Sequence, residues 1–131
     1  MKKEQKIGFF LYCRKEQKIL LHFRDGKTKD SPYKWDCFGG EIENDETPEE
    51  ALARELFEEL RISVRFGEKK LLYKNEAGNN FYCINFPFDR TGEIILGEGG
   101  GLGWISIECV LKMEGLTDEA KEIMSEFKNQ K

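Results

Sequence analysis

The chain alternates between stretches with the two-residue period of strands and stretches with the longer period of helices. Ile7–Cys13 and Ile19–Phe23 are apolar on both alternating sets of positions, the pattern of strands covered on both faces. The polar run Arg14–Lys18 joins them as a hairpin-like connection, and residues 24–34 (RDGKTKDSPYK) follow as the longest turn-rich stretch. Trp35–Phe38 reads as a short strand running into Gly39-Gly40, with Trp35 and Cys37 on one side and Asp36 and Phe38 on the other. A helix then places Leu52, Ala53, Leu56, Phe57 and Leu60 on a core side. Thr47-Pro48-Glu49-Glu50 starts it as a capping box with proline in the first turn.

Beyond the helix, Ser63–Phe66 and Lys70–Lys74 read as short strands around Gly67. Residues 76–80 form a turn, and Phe81–Phe88 returns antiparallel with Tyr82, Ile84 and Phe86 on one face. Pro87 and the turn at 89–92 end that strand, Glu93–Leu96 is a further short strand, and residues 97–103 are a flexible glycine-rich loop. Trp104–Ile107 resumes an extended path, and Ser106 caps a short helix over Glu108–Met113. Thr117 caps a final helix whose Ala120, Ile123, Met124 and Phe127 form one buried stripe. No repeat or linker divides the chain, so the expectation is one α/β domain over residues 1–131 with a mixed sheet between two helices.

The first helix carries more carboxylate than solvation needs. Six glutamates lie between Glu46 and Glu59, and Glu55, Glu58 and Glu59 sit three and four residues apart. At about 100° per residue they fall in one arc of roughly 100°. Like charges at that spacing repel, no lysine lies between Lys34 and Lys69, and Arg54 is the only base inside the helix. A hard divalent cation with oxygen ligands is the usual remedy, and Gly39-Gly40, just upstream, can turn a backbone carbonyl towards it.

Gly40, five residues, Glu46, seven residues and then Arg54-Glu55-Leu56-Phe57-Glu58-Glu59 resembles the Nudix box. The match spans the motif's 23 positions, Gly40–Ile62, and its fixed spacings make it specific. The resemblance implies a Nudix-type α/β/α sandwich, with a mixed β-sheet between the box helix and a C-terminal helix. It also implies a hydrolase cutting a nucleoside diphosphate linked to another group. Carried over residue by residue, Glu58 and Glu59 are the principal metal ligands with the Gly39 carbonyl. Glu55 binds a further metal or helps deprotonate the water, Arg54 orients the glutamates, and Glu46 closes the loop against the helix. A carboxylate outside the box often completes such a site: Glu98 is the candidate, with Glu76 and Glu93 as competitors. Mg²⁺ is the expected cofactor, with Mn²⁺ able to substitute.

Composition narrows the partners. With 35% charged and 39% hydrophobic residues the chain is an ordinary globular sequence. A net charge of −4 argues against a nucleic-acid binder, although metal can bring a small polyanion to an acidic protein. Cys13, Cys37, Cys83 and Cys109 lack metal-site spacing and His22 is the sole histidine, which excludes a standard zinc site and favours reduced thiols. The basic start lacks a signal-peptide core, and no apolar run approaches a membrane span. A cytoplasmic monomer or homodimer acting on a small nucleotide is the expectation.

Two decoys fall away. Gly26-Lys27-Thr28 lacks the first glycine of a phosphate loop, since position 21 is Leu21. The glycine-rich loop at 97–103 lacks dinucleotide spacing. Arg24, Lys27, Lys29 and Lys34 remain candidates for phosphate contact, and Trp35, Phe38 and the Gly40 backbone for substrate contact, the aromatic rings by stacking on a base. Two departures from the motif stand out. Arg61 replaces the glycine expected just past the helix, where a residue with a Cβ costs about 1 kcal/mol if the position stays left-handed, a recapped helix end being the alternative, and Phe38 replaces the proline common before Gly-Gly. The leading expectation is hydrolysis of a nucleoside triphosphate, oxidised or deoxy forms included, to monophosphate and diphosphate. A nucleotide-sugar or dinucleotide hydrolase, or a non-catalytic nucleotide sensor, are the alternatives.

Overall fold

The computed structural model describes residues 5–26, 32–97 and 101–130. Strand β1 (Lys6–Cys13) is central. One edge pairs in parallel along Ile7–Tyr12 with β6 (Asn80–Asn85), which pairs antiparallel with β5 (Lys69–Lys74). The other edge is shared: Leu11–Cys13 pair with β2 (Lys18–Phe23), while Lys6–Phe9 pair with β4 (Phe38–Glu41). Beyond its pairing with β1, β2 pairs at His22 and Phe23 with β3 (Trp35–Asp36), and along its other edge with β7 (Gly101–Ser106). The expected single strand at 35–38 is thus two strands broken at Cys37, because the chain there changes partner from β2 to β1. β1 and β2 diverge around this segment, and the sheet forks.

Alternation along the strands sorts side chains onto two faces. Ile7, Phe9, Leu11, Leu20, Tyr82, Ile84 and Phe86 face helix α1 (Pro48–Leu60) and pack on its Ala51, Leu52, Leu56 and Leu60. Phe10, Tyr12, Ile19, Leu21, Phe81 and Cys83 face α3 (Asp118–Gln130) and meet Ala120, Ile123, Met124 and Phe127. Phe127 takes edge-on contacts from Phe10 at 5.1 Å and Tyr12 at 5.0 Å between ring centroids. The α/β/α sandwich expected of the sequence is the architecture found. Burying each α1 leucine contributes about 1.5–3 kcal/mol.

Several local expectations are corrected. Ala53 and Phe57 are exposed, Phe57 by 56%, because the buried side of α1 runs from Ala51 through Glu55 to Leu60. Ser63–Phe66 is not a strand, and the chain makes a 3-10 turn over Phe66–Glu68 instead. Glu93–Leu96 is not a strand either. A 3-10 turn spans Phe88–Glu93, and the chain then runs along the end of α1, where the N–H groups of Ile95 and Gly97 donate to Leu60 O (3.0 Å) and Glu59 O (2.8 Å). Those carbonyls belong to the helix's last turn and would otherwise lack partners. Gly101–Gly103, read as loop, belong to β7. The short helix after Ser106 is α2 (Ile107–Val110), shorter than expected.

Both ends of α1 are as the sequence suggests. The Thr47 hydroxyl accepts from Glu50 N at 3.1 Å, and Glu50 accepts from Thr47 N at 2.9 Å. Arg61 ends the helix left-handed at φ 57°, ψ 33°, with its guanidinium 5.3 Å from the Phe57 ring centroid. The left-handed cost of about 1 kcal/mol exceeds the about 0.5 kcal/mol of an exposed cation–π contact. Arg61→Gly is therefore expected to raise Tm by about 2 °C, whereas Thr47→Ala should lower it by about 4 °C through loss of about 1 kcal/mol of capping. Thermal melts of both variants check the signs, and a lowered Tm for Arg61→Gly would overturn the assignment of cost.

Cys13, Cys37 and Cys83 are buried and Cys109 is exposed. Burial pushes the Cys83 thiol up to about 12 and raises that of Cys37, to which Asp36 adds. Since only thiolate alkylates readily, native protein treated with iodoacetamide near pH 8 should gain one adduct by intact mass, at Cys109. Two or more adducts before unfolding would contradict the burial pattern.

Candidate active site

The acidic comb of α1 is organised by Arg54. Its Nε donates to Glu46 Oε2 at 2.8 Å and its Nη2 to Glu46 Oε1 at 3.0 Å, a two-point clasp, and Nη2 also donates to Glu41 O at 2.9 Å. From Nη1 it reaches Glu55 Oε1 at 2.9 Å and Glu58 Oε2 at 3.3 Å, with Glu43 at 3.7 Å. One side chain thus ties β4, the loop after it and two consecutive turns of α1. Glu46 also accepts from Glu43 N at 2.9 Å, which folds the loop onto itself. The Glu46 bonds hold the Arg54 proton tightly, raising its pKa, and Arg54 in return holds the Glu46 carboxyl below its ordinary range.

Glu55 is 7% exposed. Burial holds its carboxyl above the usual carboxylate range, Arg54 works against that shift, and Glu58 and Glu43 add to it. The carboxylate lies over β4: a Cβ at Gly40 would come within 2.2 Å of Glu55 Oε1. At Gly39 a Cβ would meet Ile7 O at 2.2 Å, so the first glycine serves the close passage of β4 past β1. Glu59 is half-buried and lines a cleft of about 330 Å³ at the fork, with Gly39, Gly40 and Phe38. Glu58, Glu59, Arg61 and Gly97 line an adjoining hollow of about 340 Å³. Larger hollows of about 700 and 530 Å³ lie at the opposite end of the sheet, around Tyr12, Arg14 and Asn85, and hold none of the carboxylates nominated from sequence.

Other nominated residues sit less simply. Phe38 is 3% exposed and stacked on Phe9 (5.3 Å) and His22 (5.6 Å), so its ring belongs to the core and offers no open stacking face. Trp35 packs on the α3 side, against Phe23 and over Gly103, across the sheet from the glutamates. Strand alternation and the break at Cys37 thus put the Phe38 ring in the core and the half-buried Trp35 on the other face of the sheet. Arg24 lines the fork cleft and donates to Asp36 at 3.1 Å. Lys34 is half-buried, and its backbone carbonyl accepts from Arg24 N. Glu93 is gripped by Arg90 at 3.0 and 3.1 Å, and Glu76 is exposed in the turn after β5. Glu98, Lys27 and Lys29 lie outside the described residues, although Gly97, next to Glu98, is bonded to the box helix.

Sequence reading missed the far wall of the fork cleft. Asp36 accepts from Thr117 Oγ1 at 2.8 Å as well as from Arg24, and Glu119 of α3 joins them, its carboxyl raised by burial and by Asp36. Only the packing of α3's first turn against β3 brings these groups to Gly39-Gly40, so spacing gave no signal for them.

As a cation site, the cluster fits in donor chemistry. It offers oxygen donors only, and four carboxylates (Glu43, Glu46, Glu55 and Glu58) face a single guanidinium, a surplus of negative charge at a partly buried position. In their present rotamers no three acidic, His or Cys side chains among the described residues converge on a metal-sized site, since Glu55 and Glu58 both turn to Arg54.

Residues 3–127 match the family model described as NUDIX domain. The chain belongs to the Nudix family. Over 101 residues it is 33% identical to CTP pyrophosphohydrolase of Escherichia coli, covering 75% of this chain and 73% of the relative. Over 76 residues it is 32% identical to dihydroneopterin triphosphate diphosphatase of Haemophilus influenzae, covering 58% of this chain and 46% of the relative, so the chain spans about half the length of that protein. A MutT NUDIX hydrolase structure from Burkholderia pseudomallei superposes with a TM-score of 0.71 at 22% identity, covering 95% of this chain and 98% of that one, which supports the fold. Nudix hydrolases generally use divalent metals and act on small nucleotide substrates. No helix among the described residues of this Nudix chain is long and apolar enough to cross a membrane.

The Arg54–Glu46 clasp gives a pH signature. A carboxyl whose folded pKa is lowered contributes stability above its unfolded pKa of about 4.3 and loses it as pH falls through the lowered value. Glu46→Gln should therefore lower Tm at neutral pH and melt with the parent protein in strong acid. An equal deficit at both pH values by circular dichroism would exclude the electrostatic account.

Proposed function

We propose that this Nudix protein is a Mg²⁺-dependent pyrophosphohydrolase that converts a nucleoside triphosphate, oxidised or deoxy forms included, to monophosphate and diphosphate. The observation that carries the reading is the concentration of Glu55, Glu58 and Glu59 beside a glycine pair at the mouth of a cleft. A nucleotide-binding sensor has no need of three carboxylates that repel both one another and a phosphate. The two relatives, a CTP pyrophosphohydrolase and a dihydroneopterin triphosphate diphosphatase, are both named for triphosphate substrates, which supports a triphosphate here.

Glu58 and Glu59 would hold the Mg²⁺ with the Gly39 carbonyl, joined by Glu55 and by Glu98. Bound there, the ion supplies positive charge to the phosphate oxygens and positions the attacking water. Mn²⁺ is expected to substitute. Arg54 keeps the acidic side chains oriented and prevents the helix from repelling itself apart. Glu55, whose burial raises its affinity for a proton, is suited to accept one from the attacking water. Arg24, on the cleft wall, and Lys34 are the candidate phosphate contacts, and the cleft at the fork, of about 330 Å³, is of the size of small-ligand sites.

A panel of nucleoside triphosphates, nucleotide sugars and dinucleotides, assayed with Mg²⁺ and with chelator, tests the reading. Turnover should require metal, and Glu58→Gln and Glu59→Gln should each lower kcat about a hundredfold or more with the fold intact. Absence of metal-dependent turnover on every diphosphate, or variants as fast as the parent, would overturn it.

A further inference from the structure

We propose that Arg61 contacts the part of the substrate beyond the scissile bond and selects substrates that carry an additional phosphate there. The inference rests on the pyrophosphohydrolase reading and goes beyond it by naming the residue that favours a triphosphate over a nucleotide sugar.

Three observations converge on this residue. Arg61 holds a left-handed backbone conformation at φ 57°, which residues with a Cβ adopt at a cost, and such positions concentrate where function needs a particular side chain. It lines the hollow of about 340 Å³ that Glu58, Glu59 and Gly97 bound, and it is the cation of that hollow among the described residues. Its side chain makes no hydrogen bond or ion pair with another described residue. Its partner is the ring of Phe57, 5.3 Å away, an aromatic otherwise 56% exposed on the solvent side of the helix. A guanidinium resting on a ring keeps the N–H donors in its plane available, and those donors match phosphate oxygens two at a time.

The other arginine of this helix cannot serve. Arg54 is bonded to Glu46, Glu55, Glu58 and the carbonyl of Glu41. A phosphate reaching Glu58 and Glu59 would also meet the negative end of the helix dipole. Arg61 places a positive charge where that repulsion is greatest. A purely structural role, a cation complementing the helix end, would make the residue neutral towards ligand identity, and the two roles separate experimentally.

The test uses Arg61→Gly and Arg61→Lys beside the parent protein, with the triphosphate that the substrate panel selects as its α,β-methylene analogue, and the matching nucleotide sugar. Calorimetric titration in Mg²⁺ should show the triphosphate analogue binding about tenfold more weakly to Arg61→Gly, with Arg61→Lys intermediate and the nucleotide sugar within twofold throughout. Melts run on the same samples should show Arg61→Gly at least as stable as the parent, so that lost affinity is not lost folding. Unchanged triphosphate affinity, an equal loss for both ligands, or a lysine variant no better than glycine would overturn the role of Arg61 while leaving the hydrolase reading standing. A parent protein that turns over no diphosphate would overturn both.

Discussion

The site depends on one guanidinium. Arg54 gathers Glu46, Glu55, Glu58 and Glu43 and the Glu41 carbonyl around a single positive charge. Without it, α1 would present carboxylates to one another at three- and four-residue spacing, and the loop from β4 would lose its tie to the helix. The clasp leaves the balance negative, with several carboxylates against one cation. That imbalance is tolerable in a protein that recruits a divalent ion and costly in one that does not.

Around this charge cluster the backbone supplies the space. β1 and β2 separate where residues 35–41 pass from one to the other, and the fork sets Gly39 against Ile7 and Gly40 beneath Glu55. Two glycines are needed for different reasons: the first because β1's backbone is too near, the second because a carboxylate must lie where a Cβ would be. The apolar layers on both faces of the sheet keep this arrangement from shifting. Leu52, Leu56 and Leu60 press α1 onto β1 and β6, and the stripe on α3 presses from the other side.

The C-terminal end of α1 is handled differently from its start. A capping box of ordinary strength begins the helix, whereas its last carbonyls are satisfied by Ile95 and Gly97 from a distant loop. That docking brings the chain leading to Glu98 against the metal-ligand candidates. It also leaves Arg61 in a backbone conformation better suited to glycine, stabilised in part by the exposed ring one turn back.

Much of this was legible in the chain. Two-sided apolar runs predicted β1 and β2, the capping box predicted the start of α1, the stripe at Ala120–Phe127 predicted α3, helical spacing singled out Glu55, Glu58 and Glu59, and the resemblance to the Nudix box added Glu46 and Arg54. Those features are local, governed by residues within a turn or two of one another. Less legible were the strand broken at Cys37, the unpaired run along the end of α1 where Glu93–Leu96 was expected to be a strand, the exposure of Phe57, the burial of Phe38 and the convergence of Asp36 and Glu119 on the cleft. Each of these depends on which distant backbone supplies the hydrogen-bond partner or covers the face. The sequence by itself therefore determined the helix, its acidic comb and the glycines before it, because spacing along one helix and one loop is encoded residue by residue. Only the tertiary structure decided that the comb opens onto a fork in the sheet, with Asp36 and Glu119 on its far wall, because those relations follow from strand pairing and helix packing between segments far apart in the chain.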